Sequence, residues 1–295
     1  LRRILLGLVK KLVIADRLAV LVDGVHARPG SFSSLELVLG AYLFAVQLYA
    51  DFSGVTDIAI GIGQLFGIKG PENFDLPFLS RNVQEYWRRW HMSLTSWLVD
   101  YLFTPLRMAL RNLGSLGLGL AILVNMLAIG LWHGVTWTYA LFGLLNGVYM
   151  VASVFTSKRR DAFFDSHPAL ARLRVVTGPV TTFHLVVLSL VVFRAESVAS
   201  AAAYLARLVP GLGSPEVPPL RLDFRLLQVS PKGLLVVLGL YATTEFVNWA
   251  MHRPEWERRF EGAPRAYRWG LYYATILLTL ALSHLGEQKF IYAQF

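Results

Sequence analysis

His133 and His91 are the side chains of this sequence best suited to acid–base chemistry. His133 lies in Leu131-Trp132-His133-Gly134, within an apolar stretch over residues 113–155 that contains no other histidine and no Asp, Glu, Lys or Arg. Because burial disfavours the charged imidazolium, a histidine there should stay neutral at pH 7. Neutral imidazole is the form that a general base needs, and such a base contributes about 10²- to 10⁴-fold by taking the proton of an attacking hydroxyl. A structural, hydrogen-bonded His133 is the alternative.

Several other chemistries are excluded by what the sequence lacks. It contains no cysteine, which removes thiolate metal sites and an acyl-cysteine intermediate. It also contains no H-E-x-x-H zinc helix, no G-x-x-x-x-G-K-[ST] phosphate loop and no G-x-S-x-G nucleophile elbow. We therefore expect no metal site. Other polar groups within apolar segments, which must face protein or water at membrane depth, are Asp51, Asp57, Asn125, His184, Glu245, Asn248 and His284.

The composition indicates a membrane protein. Of the 295 residues, 55% are hydrophobic and 16% are charged, and no polar block is large enough to fold as a soluble unit. One membrane domain over residues 1–295 is the simplest organisation. The net charge of +9 comes from short basic runs between apolar segments, as in loops that face an anionic inner leaflet. This pattern favours a lipid bilayer over nucleic acid as the partner.

Apolar periodicity predicts an all-α chain with several membrane spans. Residues 35–68 form either one long helix or two short ones that meet at Gly54. Residues 1–22, with four cations in their first half, are predicted to lie at the membrane interface, and residues 102–110 are predicted to be re-entrant or interfacial. Because the sequence opens on Leu1 without a signal peptide, we expect an N-terminally truncated fragment. The remaining predicted spans are residues 113–132, 135–156, 175–193, 232–251 and 270–285.

The segment over residues 81–101 is predicted to be one helix with an apolar face and a polar shoulder. Gln84, Arg88, His91 and Thr95 follow one another at i, i+4, i+7 and i+11 beside the apolar stripe. This spacing places His91 on a narrow polar file. An interfacial histidine satisfied by water is the alternative for His91.

Basic residues cluster in three segments, residues 81–111, 158–174 and 252–269. With the predicted spans all three fall on one side of the membrane, which we assign to the cytoplasm. Residues 194–231 and the C-terminus then lie outside, although that segment is also basic. Arg81, Arg88 and Arg89 could meet the phosphates of coenzyme A or of a phosphopantetheine carrier. Ordinary positive-inside charge accounts for these arginines equally well.

Seven segments of the chain resemble the membrane-bound O-acyltransferase family, and within it the bacterial alginate O-acetylation branch. Among them are Asn73-Phe-Asp-Leu-Pro-Phe78 and the Leu131-Trp-His-Gly134 segment already described. The segments occur in order over nearly the whole chain and are jointly very specific. They are residues 7–16, 49–63, 73–78, 86–94, 131–134, 193–195 and 290–295.

The resemblance implies a multi-pass helix bundle around a tunnel, with re-entrant or interfacial helices. It implies that His133 is the family's near-invariant histidine and that His91 occupies an upstream position where other branches carry Asn, Asp or His. His133 would deprotonate the acceptor, and His91 would hydrogen-bond the carbonyl oxygen or orient the acyl group. For Asp51 and Asp57, bonding to neighbouring helices is the preferred alternative to lining the tunnel. The expected lining residues are Trp132, Gln84, Thr95, Asp51 and Asn125.

The family further implies transfer of an acetyl or other short acyl group across the bacterial inner membrane. The donor would be a cytosolic thioester, either acetyl-CoA or an acylated carrier, with no tightly bound cofactor. The acceptor would be a hydroxyl on the periplasmic side, for O-acetylation of a secreted polysaccharide such as alginate, with periplasmic acetylation proteins as partners. The alternatives are D-alanyl transfer to teichoic acid, a transporter or channel that uses His133, Asp51 and Asp57, and an inactive scaffold for soluble acetylation enzymes.

Overall fold

A computed structural model describes residues 1–209, 218, 220–251 and 253–283. These residues contain no β-strand, and their one isolated bridge joins Phe74 to Trp90. The prediction of an all-α membrane fold is confirmed. His284 and the closing motif at residues 290–295 lie outside the described residues. In chain order the α-helices are α1 (Arg2–Leu8), α2 (Asp16–Ala27), α3 (Ser34–Leu65), α4 (Val83–Arg89), α5 (Met92–Leu98), α6 (Thr104–Ala109), α7 (Gly114–Trp132), α8 (Trp137–Asp165), α9 (Pro168–Arg194), α10 (Val198–Arg207), α11 (Pro231–Met251), α12 (Pro254–Gly262) and α13 (Arg265–Leu282).

The chain divides into two compact units. The first comprises Leu1–Glu72 and the chain from Arg207 onwards, and the second comprises Asn73–Ala206. The prediction of a single membrane domain stays a prediction. Within the described residues, five helical segments are long and apolar enough to cross a membrane: Ser34–Leu65, Arg111–Trp132, Trp137–Asp165, Leu170–Arg194 and Pro231–Met251. The predicted span at residues 270–285 corresponds to α13, which is not among them.

The first unit is built on a pair of antiparallel helices. A π-helical segment, Val9–Ala15, joins α1 to α2 without a break, and the combined helix packs lengthwise against α3. The two backbones approach closely at Gly7 and Gly54, since a Cβ on Gly54 would lie 2.9 Å from the Gly7 carbonyl oxygen. A tight turn closes the pair, and Ser33 caps α3 by accepting a hydrogen bond from the backbone N–H of Glu36.

Ion pairs explain why this N-terminal helix is buried. Lys10 Nζ lies 2.8 Å from Asp57 Oδ2 and is 2% exposed, and Lys11 Nζ lies 2.8 Å from both Asp51 Oδ1 and Asp16 Oδ1. That residues 1–22 lie at the interface stays a prediction, but their lysines are not solvated, because aspartates of α3 and of the helix itself neutralise them. Residues 34–65 form one long helix, and Gly54 is a crossing point within it.

The second unit contains the apolar hairpin of α7 and α8, followed by α9. The predicted helices at residues 113–132 and 135–156 are confirmed, and α8 continues to Asp165. Gly130 and Gly143 lie at the hairpin contact, where a Cβ on Gly143 would be 2.5 Å from the Met126 carbonyl oxygen. Both helices can therefore pack closely only because these positions lack a side chain. Residues 133–136 form the turn between them.

Candidate active site

The helix predicted over residues 81–101 is interrupted at Trp90 and His91. It forms two helices, α4 and α5, and His91 between them has a φ of 45°, in the left-handed region. That conformation is uncommon for a residue with a side chain and marks a position held by its surroundings. The prediction of a single helix is therefore wrong, and the break falls at His91 itself.

A short segment from earlier in the chain causes the break. Asp75 N–H donates to the Arg89 carbonyl oxygen at 3.1 Å, and Met92 N–H donates to the Asn73 carbonyl oxygen at 3.0 Å. Between these bonds the buried ring of Phe74 packs edge-on against Trp90, with centroids 5.1 Å apart. The extended pairing takes backbone groups that a continuous helix would have used internally, so the chain turns at this point.

The break also separates the polar file. Gln84 on α4 donates to Ser153 Oγ of α8 at 3.3 Å, whereas Thr95 on α5 donates to the Trp90 carbonyl oxygen at 3.2 Å. The continuous file from Gln84 to Thr95 is therefore wrong as a geometric prediction. That Gln84 and Thr95 line a tunnel stays a prediction.

His133 ends α7 inside an aromatic enclosure. The residue is 7% exposed, and its ring lies edge-on to Phe193 of α9, with centroids 5.0 Å apart. Tyr139 and Phe142 of α8 lie 6.1 and 6.4 Å away. Gly134 follows with a φ of 152°, and a Cβ there would strike the Tyr139 ring, so glycine is needed for the chain to turn directly after the histidine.

The two histidines are brought together around Trp132. The indole lies edge-on to His91 at 5.6 Å and to His133 at 5.0 Å between centroids. Burial lowers the pKa of His91 to about 4, and burial together with repulsion from His91 lowers the pKa of His133 to about 4. Both imidazoles are therefore neutral at pH 7, as a general base requires.

His91 is also connected to the segment that interrupts the helix. Its Nδ1 lies 3.4 Å from Asn73 Oδ1, which also accepts hydrogen bonds from the backbone and hydroxyl of Ser93. Periodicity gives no indication of this role for Asn73, because a loop residue between prolines has no periodic signal. Its position in the Asn73–Phe78 motif was the one available indication.

The three arginines predicted to bind the donor have different surroundings. Arg89 Nη2 pairs with Glu85 Oε1 at 2.7 Å, and the same carboxylate accepts a hydrogen bond from the backbone N–H of Arg81. Arg88 is exposed. Donor binding by Arg81, Arg88 and Arg89 stays a prediction.

Two further predicted lining residues lie in different units. Asp51 belongs to the first unit, where it pairs with Lys11, and Asn125 lies buried on α7 in the second. Among the described residues the Asn125 Oδ1 atom has no hydrogen-bond partner. Over all residues that the structure describes, no three His, Cys, Asp or Glu side chains are close enough together to hold a metal ion. The lining roles of Asp51, Asn125 and Trp132 stay predictions.

Comparison with known proteins identifies the relatives of this chain. The model of the membrane-bound O-acyltransferase family matches residues 1–176. The chain is 38% identical over 200 residues to a probable alginate O-acetylase of Pseudomonas putida, covering 68% of this chain and 39% of the relative. It is 37% identical over 212 residues to a peptidoglycan O-acetyltransferase of Helicobacter pylori, covering 69% and 37%.

A third relative carries a different activity in its name. The chain is 32% identical over 210 residues to a teichoic acid D-alanyltransferase of Streptococcus thermophilus, covering 64% of this chain and 50% of the relative. The matched regions thus span between about a third and a half of these relatives' lengths. Since the family model matches more than half of the chain, and its match includes the segments that hold both His91 and His133, the protein belongs to the membrane-bound O-acyltransferase family.

Proposed function

We propose that the full-length protein is a membrane O-acyltransferase in which His133 is the general base. The observation that carries this proposal is the pair of buried, neutral imidazoles beside one indole, His91 at the start of α5 and His133 at the end of α7. A neutral imidazole in an apolar enclosure can accept a proton without first losing one. Family membership supports an acyl group as the species transferred.

The proposed reaction moves one proton and exchanges one bond. The acceptor hydroxyl gives its proton to His133, and its oxygen attacks the carbonyl carbon of the acyl thioester. The tetrahedral intermediate, which already holds the new C–O bond, then re-forms its carbonyl and expels the thiolate, so that the C–S bond breaks. His133 returns its proton to the thiolate, and the thiol leaves. His91 orients the reacting groups.

We place the acceptor on the periplasmic side of the bacterial inner membrane. The turn at residues 133–136 lies at the opposite end of α8 from the basic residues 158–160, the end that the positive-inside tendency assigns to the cytoplasm. The thioester, acetyl-CoA or an acylated carrier, would then arrive from the basic side. One relative is named a probable alginate O-acetylase and another a peptidoglycan O-acetyltransferase, which supports a polysaccharide acceptor. Periplasmic acetylation proteins are the partners that we expect for such an acceptor.

D-alanyl transfer is the second candidate, and the named Streptococcus relative favours it. The transport alternative has weaker support. Asp51 and Asp57, which motivated it, are held in ion pairs with lysines of the N-terminal helix, so their charges already stabilise a helix contact.

Replacement of His133 tests the proposal. In the full-length protein at matched membrane abundance, His133→Ala should lower the rate of O-acetyl transfer by about 10²- to 10⁴-fold. The O-acetyl content of the secreted polymer measures this loss. His184→Ala is the matched control, because His184 lies on α9 as an exposed histidine that bonds to the Val180 carbonyl oxygen. Near-normal acetylation by His133→Ala, or equal losses from both variants, would remove the catalytic assignment.

A further inference from the structure

Asn73 is the residue that holds the His91 region together. Its backbone carbonyl accepts from Met92 N–H at 3.0 Å, and its side-chain oxygen accepts from Ser93 N–H at 3.2 Å and from Ser93 Oγ at 2.6 Å. These bonds satisfy the first N–H groups of α5, for which His91 supplies no side-chain cap. The fourth group that bonds to Asn73 is the His91 ring, whose Nδ1 lies 3.4 Å from the same side-chain oxygen.

The chemistry of an amide oxygen fixes the direction of the last bond. Asn73 Oδ1 can only accept, and the Ser93 backbone N–H that points at the same atom confirms that this atom is the oxygen of the amide. The His91 Nδ1 must therefore carry the proton and donate it. In a neutral imidazole with Nδ1 protonated, Nε2 holds the lone pair and can act as an acceptor only.

We propose that Asn73 is a positioning residue that fixes His91 in the Nδ1–H tautomer, so that His91 Nε2 accepts a hydrogen bond from a hydroxyl group of the acyl acceptor. This inference rests on the proposed function and decides between two roles for His91. A neutral His91 held by Asn73 has no ring proton left to donate to the thioester carbonyl oxygen. Its Nε2 accepts a hydrogen bond from a second hydroxyl of the acceptor, while the attacking hydroxyl gives its single proton to His133, and this bond aligns the acceptor for attack.

Within the described part of the chain, His133, the interrupting segment and α4 bring charged or titratable groups to the region of His91. His133 lies at the end of α7, and its ring and that of His91 both contact the Trp132 indole edge-on. The interrupting segment brings Asp75, which is exposed, and α4 brings Arg88 and the ion-paired Arg89. A new carboxylate at position 73 would therefore be the dominant charge beside the ring.

Asn73→Asp separates positioning from structural support. A carboxylate accepts from Ser93 and from His91 Nδ1 as the amide does, so α5 stays capped and the tautomer is kept. The negative charge stabilises the imidazolium and raises the pKa of His91, by about 1 to 3 units. Since neutral His91 is required, we expect the low-pH limb of the acyltransfer rate to move to higher pH, with activity at pH 8 within about tenfold of wild type.

Two variants serve as controls in the same full-length protein. Ser93→Ala removes the 2.6 Å bond to Asn73 but leaves the His91 contact, so its pH profile should match wild type. His133→Ala reports on the proposed function itself. If His133→Ala is inactive and Asn73→Asp keeps the wild-type pH profile, then the positioning role is overturned while the proposed function stands. If His133→Ala is active, the proposed function fails.

A spectroscopic readout tests the tautomer without an activity assay. In full-length protein with ¹⁵N-labelled histidine rings, the His91 signals are identified by their loss in His91→Gln. We expect the shift pattern of an Nδ1–H imidazole at pH 7 in the wild type and in Ser93→Ala, and a change in that pattern in Asn73→Ala. An Nε2–H pattern in the wild type would contradict the inference.

Discussion

Two helix pairs of this protein, α1–α2 against α3 and α7 against α8, approach closely in the same way but differ in the charge that they bury. Both close through glycines, at Gly7 and Gly54 in the first pair and at Gly130 and Gly143 in the second. The first pair buries three lysine–aspartate contacts, whereas the second holds no charged residue between Leu113 and Phe155. Ion pairs fix the alignment of the first pair. In the second pair, the turn between the two helices contains His133.

Removing a buried carboxylate should break the first pair. Asp57 accepts from Lys10 at 2.8 Å and from Arg3 at 3.0 Å, and the Lys10 side chain is 2% exposed. We expect Asp57→Ala to lower the free energy of unfolding by about 3–5 kcal/mol, since an uncompensated ammonium remains buried. The midpoint of thermal unfolding of the full-length protein in detergent measures this.

Two controls sharpen the result for Asp57. Glu257→Ala removes an exposed partner of Arg2 and should cost less than about 1 kcal/mol. Adding Lys10→Met to Asp57→Ala should recover most of the loss, because the unmatched charge is gone. Equal losses from Asp57→Ala and Glu257→Ala would show that burial of the pair is not what stabilises this contact.

The second pair should break through packing instead of charge. A Cβ on Gly130 would collide with the Tyr139 carbonyl oxygen, so Gly130→Ala should cost about 1–3 kcal/mol and should lower activity by displacing His133. Gly119→Ala on the same helix is the matched control, since its Cβ would meet only a Phe155 ring carbon at 3.8 Å. There we expect no loss, and a gain of up to about 1 kcal/mol. Thermal midpoints that order the two variants the other way would contradict this contact.

The smallest effect is the pH dependence of the second unit. The folded protein holds the pKa of His133 at about 4, below the ordinary value of 6.5. Stability from the neutral ring is therefore complete above pH 6.5 and declines as pH falls from there towards 4. Between pH 8 and pH 6 we expect His133 to account for about 1 kcal/mol. His133→Gln should show a correspondingly shallower fall in thermal midpoint; an identical fall would refute the linkage.

Sequence patterns predicted the second pair well and the first pair poorly. Length and apolarity suffice for α7 and α8, because these helices meet lipid and each other without charges. In the N-terminal helix, Lys10 and Lys11 resemble a solvated face, and their partners Asp57 and Asp51 lie 47 and 40 residues further along the chain. The residue pattern within one helix carries no information about ion pairs that this helix makes with another helix.

The candidate site was predicted in part for a similar reason. The depth of His133 could be read from its apolar neighbours, and the structure adds that His91 lies close to it. The break before α5 could not be read, since Trp90 and His91 continue a helical pattern. Its cause is hydrogen bonding to Asn73 and Asp75, which compete for the backbone from a distant loop.

The π-helical segment Val9–Ala15 makes the first pair tolerant of a change in the number of residues in it. A wider turn holds one residue more than an α-helical turn, so deleting a single residue there would restore a regular helix. The segments on either side would keep nearly the same rotation about the helix axis, because the wide turn had already absorbed the extra residue. Arg3 would then stay beside Asp57, and Gly7 beside Gly54. A deletion within the regular α-helical turns of α1 would instead rotate the residues before it by about 100° and separate both contacts.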